Sequence, residues 1–352
     1  MPLSRPALRH GLVRPAIGGV AVAAVVAGAA LAAPGLHSHS AGPAHATARL
    51  TSASTANPPA APVDPNSHQG RIDAVWAAAR ARHPQPPVTV TNPDRPIDCD
   101  HLKCIAFTFD DGPNPRTTSR LLPILAAKHV RATFMLVGQM VVADPHAVAE
   151  EAKAGDMLGI HTWRHQSLRG RSVQSIADDL TRTSAAITKA SGYRPFVVRP
   201  PYGAVGGQTE MNVEFPLIKW GVDSEDWRSR NPDAVFKQVT STAAPGSIVL
   251  MHDTYPSTID AVPRLIDWFA ARGYTFVTVS ELYGGQLKSH RTYFGREKVV
   301  AANRATDHKA GIVRKPWIDP GPAPAVPAPG TPAAPTAEVA TPAPSPTEDK
   351  YS

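Results

Sequence analysis

Seven short apolar runs recur along the middle of this chain, separated by longer amphipathic stretches. They are CIAFTF from Cys104, ATFMLV from Ala132, MLGIH from Met157, FVVR from Phe196, LIKWGV from Leu217, SIVLMH from Ser247 and TFVTV from Thr275. The stretches between them, beginning near Thr117, Asp144, Ser172, Pro232 and Ser257, read as helices, several with Ser, Asp or Thr placed to cap the first turn. Strands alternating with helices imply a parallel sheet covered by helices, and about seven such units are enough to curl into a barrel. Residues 203–216 carry neither pattern.

The first run ends in a conflict. IAFTFDDGPNP passes from a strand pattern straight into Asp110 and Asp111. Neighbouring side chains on a strand point to opposite faces, so one of two consecutive charges would be buried at a cost unless the strand stops or something compensates. An Asp capping the next helix, or an Asp-Gly turn, accounts for one of the pair and leaves the other without a reason.

The remaining unusual polar residues share a phase. Asp110 and Asp111 follow the first strand, His161 ends the third with His165 four residues on, Arg199 ends the fourth, Asp223 and Asp226 follow the fifth, and His252 ends the sixth. In a parallel barrel the C-terminal strand ends converge on one mouth, where active sites are built. HTWRH spaces two imidazoles so that a helical turn would bring them to one side. With one carboxylate they form a His, His, Asp set suited to a divalent metal that leaves room for water. A metal ligand must reach the cation and a general base must stay off it, so the two aspartates divide naturally between two jobs.

Outside this region the composition changes. Arg5, Arg9 and Arg14 precede an apolar run from Ala16 to Ala33, the pattern of an export signal, although the run also approaches the length of a membrane anchor. We divide the chain into a signal peptide or anchor at 1–36, a flexible spacer at 37–66, an extension with a short helix at 67–98, a catalytic domain at 99–287, a basic segment at 288–319 and a Pro/Ala-rich tail at 320–352. The expected location is therefore secreted or cell-surface, with membrane contact through the N-terminal segment if that is retained. Export makes a disulfide the expected state of the two cysteines, Cys99 and Cys104, while a thiolate metal pair would lack its other ligands. The net charge of 36 minus 29, or +7, with basic residues crowded between Lys288 and Lys315, fits a solvated basic linker better than an anion-seeking patch. No nucleic-acid motif is present, and a nucleic-acid partner is not expected.

Five motifs in order, TFDDG, HTWRH, RPPYG, DSEDW and LMH, resemble those of the polysaccharide deacetylases, carbohydrate esterase family four, also called the NodB-type homology domain. The resemblance covers roughly Cys99 to Leu282. It implies a deformed (β/α) barrel that removes acetyl groups from N-acetylated sugars, with the active site at the C-terminal strand ends. By motif position it assigns Asp111, His161 and His165 to the metal, zinc first and cobalt or manganese as alternatives. Asp110 becomes the general base, Arg199 its orienting partner and His252 the general acid, with Asp226 supporting Arg199 and His252. The Tyr202 backbone N–H would help hold the oxyanion, and Trp227 and Leu250 would line the acetyl pocket, although both fit core packing as well. Asp223 is set aside as structural. The approach to HTWRH, AGDMLGI, is looser than the Gly-His-Glu run of many members, but no metal, acid or base position is lost.

These features together suggest an exported, monomeric deacetylase of cell-wall peptidoglycan. A chitooligosaccharide deacetylase or an acetylxylan esterase would use the same groups. A non-catalytic glycan-binding protein would be expected to have lost part of the set.

Overall fold

A computed structural model describes residues 63–315. The expected signal peptide or anchor at 1–36, most of the spacer expected at 37–66 and the tail expected at 320–352 lie outside the described residues. No helix among the described residues is long and apolar enough to cross a membrane.

The strands are β1 Cys104–Asp110, β2 Thr133–Leu136, β3 Met157–Ile160, β4 Leu217–Ile218, β5 Val222–Asp223, β6 Ile248–His252, β7 Thr275–Phe276 and β8 Thr292–Tyr293. The main sheet runs β3-β2-β1-β6-β5, with β7 beside the start of β1, and every strand pair is parallel. Beyond β3 the path continues by two single parallel bridges, Ile160 to Val198 and Val198 to Leu217, to β4 and its partner β8. Only residues 219–221 separate β4 from β5, so the path returns to its start through the chain itself. A barrel closed by covalent connection and not by a complete ladder is a deformed one.

Two of the expected strands differ from their sequence pattern. FVVR is reduced to one bridging residue, Val198, which pairs singly with Ile160 and with Leu217, because Pro195 on one side and Pro200 and Pro201 on the other supply no N–H for a ladder. LIKWGV breaks in two because the chain changes partner within it: the Lys219 N–H donates to Tyr293 O at 2.7 Å, and the Gly221 N–H to Ile248 O at 3.1 Å.

Period-two alternation sorts the core into two layers. Ile105, Phe107 and Phe109 of β1 join Phe134, Leu136, Leu158, Val249 and Met251 in the layer under the helices. Cys104 and Ala106 join Met135, Met157, Val197, Ile218 and Ile248 in the barrel interior. Gly159 faces this interior, where a Cβ would stand 2.4 Å from the Met135 sulfur. The interior is full, so β3 needs a residue with no side chain there.

The helices form where their caps place them. Asp144 accepts from the Ala147 N–H and Ser172 from the Ser175 N–H, opening the helices Pro145–Lys153 and Val173–Ser191. The helix His68–Arg82, in the segment expected to be an extension, is an integral part of the fold. Its Trp76 is wholly buried and donates from Nε1 to Asn212 O at 3.1 Å.

The basic segment also differs from the solvated linker expected. It contains β8 and the helix Glu297–Lys309, which packs back through Val300, and Asn303 donates to Asp100 O at 3.0 Å. Ahead of β1, Cys99 and Cys104 form a disulfide.

Arg95 ties the N-terminal extension to the barrel. Its Nε and Nη2 reach the Glu281 carboxylate at 2.7 and 2.8 Å, with only 8% of the Arg95 side chain and none of the Glu281 side chain exposed. Removing Arg95 leaves the buried Glu281 carboxylate only the longer ion pair with Arg131 at 3.5 Å among the described residues, so Arg95→Ala is expected to lower unfolding free energy by about 3 kcal/mol in a denaturant titration.

Candidate active site

The alternation that fills the barrel interior also selects the residues at its mouth. Along β1 the inward column is Cys104, Ala106, Thr108 and then Asp110. Along β3 it passes Met157 and Gly159 to His161, and from Val197 it reaches Arg199. Along β6 it runs Ile248, Leu250, His252. The top inward position of each run therefore carries a polar group, below which the interior is largely apolar.

Asp110 continues the strand and points inward, 3% exposed, paired in register with His252. Asp111 leaves it: at φ 75° its backbone is left-handed, which turns its side chain away from the sheet alternation. The adjacent charges thus do not compete for one face. Gly112 follows because the Asp253 carboxylate stands where its Cβ would be, 2.3 Å from Oδ2. Thr162 (64°), His165 (56°), Tyr202 (61°) and Glu225 (52°) are also left-handed, and all four belong to the loops at this mouth. Backbone strain of this kind costs about 1–3 kcal/mol per residue and collects at functional sites.

His161 is buried, and its Nδ1–H donates to the Arg199 carbonyl at 2.6 Å. That bond leaves the Nε2 lone pair facing the mouth. Burial lowers the His161 pKa from its ordinary value despite the nearby Asp110 and Asp111, which favours the neutral ring. His165 Nε2 lies 3.3 Å and His161 Nε2 3.5 Å from Asp111 Oδ1, a buried oxygen that accepts no hydrogen bond from protein. One donor atom from each of the three residues lies within 4.8 Å of the others. An orphaned carboxylate oxygen between two imidazole nitrogens fits a divalent cation with nitrogen and oxygen ligands, zinc included. HTWRH is not a helical turn, as its spacing suggested. It is a bent loop, and the left-handed Thr162 and His165 bring the rings to 4.9 Å.

Arg199, with no exposed surface, holds Asp110 Oδ1 through Nη1 at 2.6 Å. The same nitrogen reaches the Thr108 hydroxyl at 2.7 Å, while Nε and Nη2 donate to the carbonyls of Ile218 and Lys219. Asp110 Oδ2 is left toward the site, 3.6 Å from His161 Nε2.

On the opposite side, Asp226 Oδ1 accepts from His252 Nδ1 at 2.7 Å, and Oδ2 accepts from the His252 backbone N–H and the Thr258 hydroxyl, each at 2.7 Å. Asp226 was expected to support Arg199 as well. No such bond exists among the described residues, where both Asp226 oxygens are already used by His252 and Thr258. Burial by itself pushes the His252 pKa down; the hydrogen bond and charge of Asp226 more than offset this and hold it at about 9.

Asp110, Asp111, His161, His165 and His252 line one cavity of about 470 Å³ together with Tyr202, Trp220, Asp223, Trp227, Leu250 and Tyr255. Tyr202 is 73% exposed and lies edge-on to the His165 ring at 4.7 Å; Trp227 is 48% exposed and Leu250 is buried. Asp223 is not only structural: it opens on the cavity, and its Oδ1 accepts the Glu225 N–H that shapes the loop leading to Asp226. Sequence reasoning also missed Trp220, Tyr255 and Asp253. Asp253 follows His252 directly and accepts a short hydrogen bond from Thr118, and burial lifts its pKa to about 7. An acidic residue after a strand-end histidine was the available signal.

The arrangement can be compared with known proteins. A family model for polysaccharide deacetylase matches residues 98–214. A peptidoglycan-N-acetylglucosamine deacetylase of Bacillus cereus is 31% identical over 188 residues, covering 51% of this chain and 88% of that protein. The chain belongs to the polysaccharide deacetylase family. Within this deacetylase family it is also 39% identical over 194 residues to the peptidoglycan-N-acetylglucosamine deacetylase PgdA of Listeria monocytogenes. The match covers 55% of this chain and 42% of PgdA, so the chain spans about two fifths of that relative's length. Among solved structures it is similar to the T48 deacetylase determined with substrate, at 37% identity and a TM-score of 0.55, covering 56% of this chain and 99% of that one.

Proposed function

We propose that this protein is an exported, metal-dependent deacetylase that hydrolyses the N-acetyl groups of amino sugars in peptidoglycan, through the domain at residues 99–287. The observation that carries the reading is the single cavity in which the Asp111, His161 and His165 donors lie between the Asp110–Arg199 pair and the His252–Asp226 pair. The names of the relatives support an N-acetylglucosamine unit in peptidoglycan as substrate. The Arg-rich N-terminus and the Cys99–Cys104 disulfide support export.

Asp111, His161 and His165 would hold the cation, zinc in the first instance. When bound, it supplies Lewis acidity, making water nucleophilic near neutral pH and polarising the acetamide carbonyl. Asp110 Oδ2 takes the proton from the attacking water while Arg199 keeps Oδ1 occupied. Charge develops on the carbonyl oxygen, and the Tyr202 backbone N–H would be its donor. His252, kept protonated by Asp226, delivers its proton to the nitrogen as the C–N bond breaks, which releases a neutral amine and acetate. Trp227 and Leu250 give the acetyl methyl an apolar wall.

The test is acetate release from N-acetylglucosamine oligomers and from peptidoglycan by the purified protein. Release is expected, with loss on chelation and recovery on adding zinc. Chelation that leaves release unchanged would remove the metal from the reading, and no release from any acetylated glycan would remove the reading itself.

A further inference from the structure

The loop between the two histidines has a second side. His161 and His165 face the mouth, while Trp163, Arg164 and Gln166 line a separate groove of about 570 Å³, larger than the catalytic cavity. The far wall is built from the ends of two helices, His68–Arg82 and Val173–Ser191. The groove therefore shares its wall with the residues assigned to the metal.

Its charges do not balance. Four arginines line it, Arg82, Arg164, Arg171 and Arg182, against two aspartates. Arg82 pairs with Asp178 at 2.6 Å and Arg171 with Asp179 at 2.9 Å. Asp179 also accepts the Trp163 N–H at 2.7 Å, so both of its oxygens are used inside the protein. Arg164 and Arg182 are exposed and form no ion pair among the described residues. Arg182 is nonetheless held in place, its guanidinium 3.6 Å over the Trp163 ring. Stacking on an aromatic face leaves the in-plane N–H donors of a guanidinium unspent. One cation held in place, Arg182, and a second exposed one, Arg164, thus remain in a concave site beside the mouth.

We propose that this groove binds carboxylates of the stem peptide carried by the same glycan strand whose acetamide occupies the mouth. The proposal rests on the peptidoglycan reading above. Because Arg164 directly precedes His165, an anion here must belong to the polymer engaged at the active site or lie alongside it. The planar forks of Arg164 and Arg182 match carboxylates in geometry as well as charge. Polymer charge would then contribute to affinity and to placing the strand, while the cleavage chemistry stays with the mouth.

Three substrates separate the possibilities: uncharged N-acetylglucosamine oligomers, peptide-bearing glycan strands, and the same strands with their carboxylates converted to amides. Arg164→Gln, whose side chain is exposed and unpaired, is compared with wild type, and Arg164→Gln combined with Arg182→Gln forms the second variant. The expected result is a kcat/KM on peptide-bearing strands that falls roughly fivefold in the first variant and further in the second. Amidation of the strands should cause a similar fall in wild type and no further fall in the variants, with oligomer activity unchanged throughout. Equal loss on oligomers and strands, or equal activity of wild type and variants on charged strands, would overturn the groove assignment while leaving the reaction intact. Activity on oligomers with none on either form of strand would instead overturn the peptidoglycan reading, and the groove assignment with it.

Discussion

Asp110→Asn is expected to lower acetate release by about a hundred- to ten-thousandfold, the range that a positioned general base contributes. Asparagine keeps the size and the buried position but has no anionic oxygen to accept a proton. In the wild type, Arg199 occupies Oδ1 at 2.6 Å and leaves Oδ2 toward the site. The substitution leaves Asp111, His161 and His165 in place, so zinc content after dialysis should remain close to wild type. Retention of metal with loss of rate separates the role of base from that of ligand. Wild-type activity in the metal-loaded variant would exclude Asp110 as the base.

Asp226→Asn is the second large effect, and its signature is a displaced pH profile. Catalysis needs His252 protonated. With the pKa raised above the ordinary imidazole value of about 6.5 to about 9, the acid form is fully present below the lower value and is lost as pH rises through the upper one. Without the Asp226 carboxylate, burial still lowers the His252 pKa while only the smaller influences of Asp110 and Asp111 still raise it. The alkaline limb of kcat/KM should then move down from about pH 9 toward the ordinary imidazole value of about 6.5, with a loss at pH 8 of roughly tenfold. A limb that stays in place would show that His252 does not titrate in the reaction. A folding defect alone would lower the amplitude of the profile and leave its limb where it was.

The two substitutions act on opposite sides of one cavity, and the structure explains why they are separable. Asp110 takes its charge partner from Arg199, whereas His252 takes its own from Asp226. The expectation that Asp226 also held Arg199 came from motif order, which says which residues gather at a mouth but not which of them share hydrogen bonds.

Much of the fold was legible because it follows from local rules. The helices after Asp144 and Ser172 open where short polar side chains can accept an orphan N–H, and β1, β2, β3 and β6 are strings of apolar residues with no other use. Less legible were the places where partners at long range override local pattern. FVVR looks like a strand and pairs through Val198 alone; LIKWGV looks like one strand and serves two neighbours. The segment from Lys288 reads as a charged linker, yet β8 completes a pair with β4 and Val300 is buried. A composition dominated by charge conceals one buried valine.

By itself, the sequence determined which residues meet at the mouth, because a side-chain period of two and a chain direction repeated in every parallel strand deliver the residues at the strand ends to one place. It also determined that two adjacent aspartates could not both continue the first strand. Only the tertiary structure decided how they part: a left-handed backbone at Asp111, and the Asp253 carboxylate pressed against Gly112. The tertiary structure alone also set Arg199 on the inner oxygen of Asp110, and left Arg164 and Arg182 unpaired beside the mouth. These outcomes depend on distances between segments far apart in the chain, which no local pattern encodes.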